Sequence, residues 1–216
     1  MLHLQHKKYR YASRIIASLA FGLLINNEVW AGDVSVTVAD SAGTPVENAV
    51  VYAEAVDKPT VLPVKPAMIE QKNRTFIPLV TVVQAGSSIT FPNHDSVRHH
   101  VYSFSPAKAF ELKLYSGVPS SPVIFDKPGT VVLGCNIHDF MIAFVHIVDT
   151  PYFAKTDVNG MAKLSNLPTG QYTLKTWHYA LTKENAVVEQ AVSVKGNEQA
   201  VVTLELKPFP LPKRPG

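Results

Sequence analysis

The chain of 216 residues contains one cysteine, Cys135. It therefore has no internal disulfide. Charged residues make up only 17%, and the formal net charge is +3. Residues 1–31 hold four Lys or Arg against one acid, so the rest of the chain carries 16 charges of each sign and balances to zero. That balance excludes a nucleic-acid partner, which needs a basic face. Past residue 31 no apolar run is long enough to span a bilayer. Amphipathic helices of useful length are missing too. So are a phosphate-binding glycine loop and a nucleophile beside a base with an oxyanion motif, which leaves little room for an enzyme.

What is present begins with the first thirty-odd residues. Lys7, Lys8, Arg10 and Arg14 precede an apolar stretch, Ile15 to Ile25, and Val29-Trp30-Ala31 follows. A basic start, a short apolar run and a small-residue site describe a secretory signal peptide over residues 1–31. The rival reading is an uncleaved anchor. Export implies a periplasmic location with no membrane span after cleavage. A lone thiol in an oxidising compartment needs a use or protection by burial.

The remaining sequence reads as all-β, with short alternating runs between turn residues. Val34, Val36 and Val38 alternate with Ser35 and Thr37, Asp40 to Pro45 is a turn, and Ala49 to Ala55 is a second strand. Residues 57–67 are proline-bearing and read as a linker or crossing loop. Strands are then expected at 79–83, 88–92, 100–104, 110–115, 123–125, 131–135 and 141–148, as one antiparallel sandwich. Beyond Asp149, turns at Thr156–Gly160 and Leu167–Gly170 separate strands at 161–164 and 171–179, with two more at 186–194 and 199–206. A proline-rich tail, 208–216, ends the chain.

Residues 33–56 supply only two strands, too few to stand alone. Joined to 149–207 they make one discontinuous sandwich, with residues 68–148 inserted as a second unit. The segments VTVADSAGTPVENAVVYAEA and TDVNGMAKLSNLPTGQYTLKTWHY resemble a carboxypeptidase-regulatory-like (transthyretin-like, or prealbumin-like) β-sandwich in their turns and alternation. The alternative adds residues 33–67 to the middle unit.

The chemistry is concentrated in Cys135-Asn136-Ile137-His138-Asp139-Phe140-Met141. A thiolate, an imidazole and a thioether lie within seven positions. A blue copper site takes two His nitrogens and one Cys sulfur in a plane, with a weak axial Met. Soft thioether sulfur favours copper over zinc or nickel. Each residue also has a plain structural reading. Cys135 could be an inert buried thiol and Met141 core filler. His94, His99 and His100 crowd one turn, so the second imidazole is His99 or, one position along, His100. His146 and His178 lie within strand patterns and read as structural.

VVQAGSSITFPNHDSVRHHVYSF and DKPGTVVLGCNIHDFM resemble the ligand regions of cupredoxins, and the match covers residues 68–148. The spacing Cys-x2-His-x2-Met is similar to the short loop of amicyanin-type members. The resemblance implies a Greek-key cupredoxin sandwich whose single type 1 copper ion is held by His99, Cys135, His138 and Met141. Asn93, His94 and His100 would stand behind the ligands. Val97, Ile137 and Phe140, with Arg98 and Asp139 setting the charge, would form a docking patch around His138. Departures are His100 where cupredoxins usually carry Asn, and Ile137 and Asp139 where prolines flank the second His. The two-part chain also resembles proteins labelled methylamine utilization protein.

The expected function is one-electron transfer between redox partners such as a dehydrogenase or a c-type cytochrome. Copper delivery and a non-catalytic interaction module are the rivals.

Overall fold

The computed structural model describes residues 31–57, 63–119, 121–182 and 186–212, and every regular element among them is a β-strand. The expected signal peptide lies outside the described residues except for Ala31, which opens the first strand. Strands β1 (Ala31–Asp40) and β2 (Val50–Ala55) come first. The middle holds β3 (Ala67–Met68), β4 (Glu70–Lys72), β5 (Thr75–Ile77), β6 (Val80–Gln84), β7 (Ser87–Thr90), β8 (His99–Ser105), β9 (Lys108–Tyr115), β10 (Val123–Phe125), β11 (Gly129–Gly134) and β12 (Ile142–Val148). Strands β13 (Phe153–Lys155), β14 (Met161–Pro168), β15 (Gly170–Trp177), β16 (Val188–Val194) and β17 (Glu198–Leu204) follow.

The two ends of the chain share two sheets, ordered β14-β1-β17 and β13-β2-β15-β16. Alternation explains the inward faces: Val34, Val36 and Val38 are fully buried, while Ser35 is half-buried and Thr37 exposed. They meet Val50, Val51, Leu164, Leu174, Trp177 and Leu204 in one apolar core. Local turn chemistry fixes the registers. Asp157 accepts hydrogen bonds from the backbone N–H of Asn159 and Met161, both 2.9 Å, so the turn forms from its own side chain. Gly160 follows at φ 71° with its Cα against β1, and a Cβ there would sit 2.3 Å from the Val38 carbonyl oxygen.

Residues 67–148 build a five-stranded sheet, β6-β12-β11-β8-β9, a three-stranded sheet, β10-β7-β3, and the hairpin β4-β5. Ile69, Phe76, Ile89, Phe91, Val101, Phe125, Leu133 and Val145 fill the second core. Strand β12 belongs to both cores. Val145 and Ile147 face the second, while Phe144 and Val148 face the first. Successive side chains point to opposite faces, so a strand covered on both sides reads as an unbroken apolar run, as Ile142–Val148 nearly does. His146, on the outer face, stacks on Trp177 with ring centroids 4.5 Å apart.

The expectation that the middle unit is antiparallel is corrected, and the outer sandwich has a parallel pair as well. β12 runs parallel to β6, β3 parallel to β7 and β1 parallel to β17. Alternation fixes which face a residue takes but not which direction its neighbour runs. The hairpin β4-β5 and strand β13 were also not anticipated. The hairpin turns at Asn73 and Arg74, both at φ 55°. That geometry suits a two-residue hairpin, but Asn-Arg lacks the glycine that usually signals it.

Candidate metal centre

His99 opens β8 with its ring turned into the second core, fully buried. Cys135 follows the end of β11 and is also buried. A tight turn, closed by the Met141 N–H donating to the His138 carbonyl at 2.9 Å, brings His138 back over the thiol. Cys135 Sγ lies 3.9 Å from His99 Nδ1 and 3.8 Å from His138 Nδ1. Among the described residues this is the one group of three or more His, Cys, Asp or Glu donors gathered within 4.8 Å of one another. With bonds of about 2.3 Å to sulfur and about 2.0 Å to nitrogen, trigonal angles put the two donors roughly 3.7 Å apart. The observed separations therefore fit one ion between the three side chains. Met141 is buried and packs in the same core as Cys135.

The order of the turn before β8 comes from two side chains. Asn93 is buried and donates through Nδ2 to the carbonyls of Val97, at 2.9 Å, and Tyr115, at 3.0 Å, while its Oδ1 accepts from the Asp95 N–H. Asp95 Oδ2 lies 2.7 Å from His99 Nε2. The same carboxylate accepts from the N–H groups of Asn73 and Arg74. Burial opposes ionisation of Asp95, but hydrogen bonds from Arg74, His99 and Asn73 outweigh it and hold the carboxyl below its ordinary range. A carboxylate on one ring nitrogen fixes the tautomer and leaves the other nitrogen free to bind a metal. Here the free nitrogen is Nδ1, the one facing Cys135. Sequence reasoning missed Asp95; the available signal was an acid four residues before the candidate ligand.

Tyr115 pairs across the sheet with His99 and donates to the Phe91 carbonyl at 2.7 Å. The Gln71 side-chain amide bonds to the same hydroxyl. Burial pushes the Tyr115 phenol up to about 12, so it stays neutral.

The other candidates separate cleanly. His100 follows His99 on the strand and so takes the opposite face, where Nε2 meets Glu111 at 3.0 Å. His94 turns outward to Glu70, 2.9 Å from its Nδ1. The expectation that both back the ligands is corrected; Asn93 and Asp95 occupy that position. His138 is half-buried, and burial first, then the charges of His99 and Arg74, lower its pKa. A neutral ring offers a lone pair to a metal. Phe140 packs against the His138 ring, with centroids 5.6 Å apart; of the other residues expected in a docking patch, Arg98, Ile137 and Asp139 are exposed and Val97 is half-buried. His146 and His178 lie away from the group, each lowered to about 4 by burial.

Among the described residues the structure is thus all-β, with a His–Cys–His cluster in which His99 and Cys135 are buried and His138 is half-buried. No family model matches the chain, and no curated protein matches it. Among solved structures it is similar to a copper-containing nitrite reductase from Thermus scotoductus SA-01, with 21% identity, 52% of this chain covered and a TM-score of 0.37; the aligned part spans 28% of that protein. It is similar to a purple cupredoxin from Nitrosopumilus maritimus, with 20% identity over 38% of this chain and 99% of that one, at a TM-score of 0.34. A pseudoazurin from Methylobacterium extorquens AM1 aligns at 24% identity over 40% of this chain and 77% of its own, with a TM-score of 0.33.

Proposed function

We propose that this chain is an exported one-electron carrier with a single type 1 copper ion that would be held by His99, Cys135, His138 and Met141. One observation carries the reading. Two imidazole nitrogens stand 3.9 and 3.8 Å from one buried thiol sulfur, and the chain itself has already oriented the first ring. Copper supplies a reversible one-electron change in such a donor set. The chain supplies rigidity. Asp95 fixes the His99 ring, Asn93 fixes the turn, and the Cys135–Met141 loop is closed on itself. Little then has to move when the charge at the site changes.

His138 is the donor nearest the solvent. Val97, Ile137 and Phe140 surround it as an apolar patch, with Arg98 and Asp139 setting the charge that steers a partner. A c-type cytochrome or a dehydrogenase fits that role as a brief, small-interface contact. With His99, Cys135, His138 and Met141 all serving as donors, a bound ion would have no position left for a substrate, and we read the chain as a carrier rather than an enzyme. We take residues 68–148 as the carrier unit, inserted in a sandwich of residues 33–56 and 149–207 that holds it against a partner. Signal-peptide cleavage near residue 31 and a periplasmic location complete the reading.

The test is the visible spectrum of the purified protein after addition of Cu(II), beside Cys135→Ala. An intense sulfur-to-copper band in wild type that vanishes in the variant supports the reading. Copper binding without that band makes delivery of copper the better account. The absence of copper binding leaves an interaction module.

A further inference from the structure

The two sandwiches meet face to face and leave a cleft between them. Tyr52 and Glu54 on β2 share one face with Lys175 and Trp177 on β15, because Tyr52 pairs with Lys175 across the sheet. That face packs on His146 of β12, whose ring stacks on Trp177 and stands 5.6 Å from the Tyr52 ring. Where the packing ends, a cavity of about 440 Å³ remains. Tyr52, Glu54 and Lys175 line it from one side, and Thr130, His146 and Asp149 from the other. A concave site of this size at a junction of two units suits a small ligand.

Two of the lining groups are buried and unused by the fold. Tyr52 is 7% exposed, and among the described residues no hydrogen bond reaches its hydroxyl. Burial pushes the phenol up to about 12, so it stays neutral. His146 is 5% exposed. Its Nδ1 meets the Thr130 hydroxyl at 3.1 Å, and its Nε2 has no partner among the described residues. A buried polar group without a partner is costly, so native chains seldom keep one without a use. The charges nearby are matched. Lys175 Nζ lies 2.9 Å from Glu54 and 3.4 Å from Glu189, and Lys127 and Asp149 add one charge of each sign to the lining. Pro106, Pro128 and Val187 make apolar walls.

We propose that this cleft binds a small neutral polyol, a molecule of sugar size carrying a vicinal diol. With the acids and bases of the lining equal in number, the cleft has no surplus charge with which to select an ion. A carboxylate oxygen and an ammonium hydrogen side by side, as in Glu54 and Lys175, accept from and donate to the two hydroxyls of a vicinal diol. The Tyr52 hydroxyl and the His146 Nε2 meet further hydroxyls deeper in the cleft. The apolar walls take the C–H edges. His146 lies about 16 Å along the chain from Met141 at the rise of a strand, so the cleft is separate from the candidate metal centre and the inference does not depend on the copper reading.

The experiment titrates the full metal-free chain with myo-inositol, D-glucose and glycerol and follows backbone amide resonances. Saturable shifts clustered at residues 52–54, 128–130, 146–149 and 175, with at least one of the three, are the expected result. Binding of inositol or glucose without glycerol assigns the cleft to a ring, and the reverse assigns it to an open chain. Tyr52→Phe should weaken binding by about 3- to 10-fold and leave the urea midpoint at or above that of wild type, since the hydroxyl has no partner in the fold. Unchanged affinity in that variant, or a lower midpoint, overturns the proposal. D-Glucuronate or D-glucosamine binding more tightly than D-glucose overturns it in favour of an ion site. Shifts that map outside the cleft also overturn it, as does the lack of any saturable shift at about 50 mM of each polyol, well above a millimolar Kd.

Discussion

Asp95 reaches His99 and the Asn73–Arg74 turn with one carboxylate: Oδ2 lies 2.7 Å from His99 Nε2, and both oxygens accept from the turn's N–H groups. A candidate ligand is thereby tied to a hairpin more than twenty residues upstream.

Replacing Asp95 by Ala frees the His99 ring to rotate and to exchange tautomers. Copper affinity should fall by about 10- to 100-fold. Asp95→Asn keeps one acceptor oxygen and should lose less. Competition against a chromophoric chelator measures both, and equal affinity in all three proteins would remove Asp95 from the site.

The acid dependence of stability follows from His146. Burial alone holds its pKa at about 4, against an ordinary value of 6.5, so the fold keeps this ring neutral. Between those values the unfolded chain binds a proton that the folded chain refuses. Stability is therefore full above about pH 7 and falls as pH drops from 6.5 towards 4, by up to about 3 kcal/mol for this residue. His178 adds a loss of the same sign. Urea midpoints taken across that range should slope less in His146→Phe than in wild type.

Gly160→Ala should destabilise the protein strongly. It combines a positive φ with a Cβ driven onto the Val38 carbonyl, which already accepts the Val46 N–H at 3.0 Å. A cost of roughly 2 kcal/mol or more is expected. Gly43→Ala is the control. Gly43 also has a positive φ, at 83°, but no atom stands near its missing Cβ. Its cost should stay near about 1 kcal/mol. Denaturant midpoints that fail to separate the two would refute the close-contact argument.

Trp177→Ala removes the ring that stacks on His146 and packs against Phe144. The cost should be about 3–5 kcal/mol. Because β12 lines both cores, the copper band and the far-ultraviolet signal should be lost in one transition in wild type and in the variant. Two separated transitions in wild type would contradict a shared strand.

Much of this was legible in the sequence. Val34, Val36 and Val38 announce a half-buried strand because the period of two is set by the backbone. The run from Cys135 to Met141 announces a candidate metal loop because three soft or nitrogenous donors seldom crowd so closely without a use, and the structure brings two of them, Cys135 and His138, together with His99. The choice between His99 and His100 was open in the sequence. It is resolved by which face of β8 each takes, and that depends on register with β9 and β11. Asp95 was missed because its partners, Asn73 and Arg74, are distant in the chain and carry no glycine signal. The parallel pairing of β12 with β6 was missed because side-chain pattern carries no strand direction. The outer use of β12 was hidden for a related reason: an apolar run shows that both faces are covered but not by what.

Ile142–Val148 is a party wall between neighbours that were stitched together from different stretches of the chain. Cut out residues 68–148, and Phe144, His146 and Val148 become an oily stripe facing water. Remove that stripe by redesign, and the outer sandwich loses one side of its own interior. Neither tenant can therefore be evicted without repairs to the other. A change on the Trp177 side has a rigid lever on which to press, because that strand begins one residue after Met141.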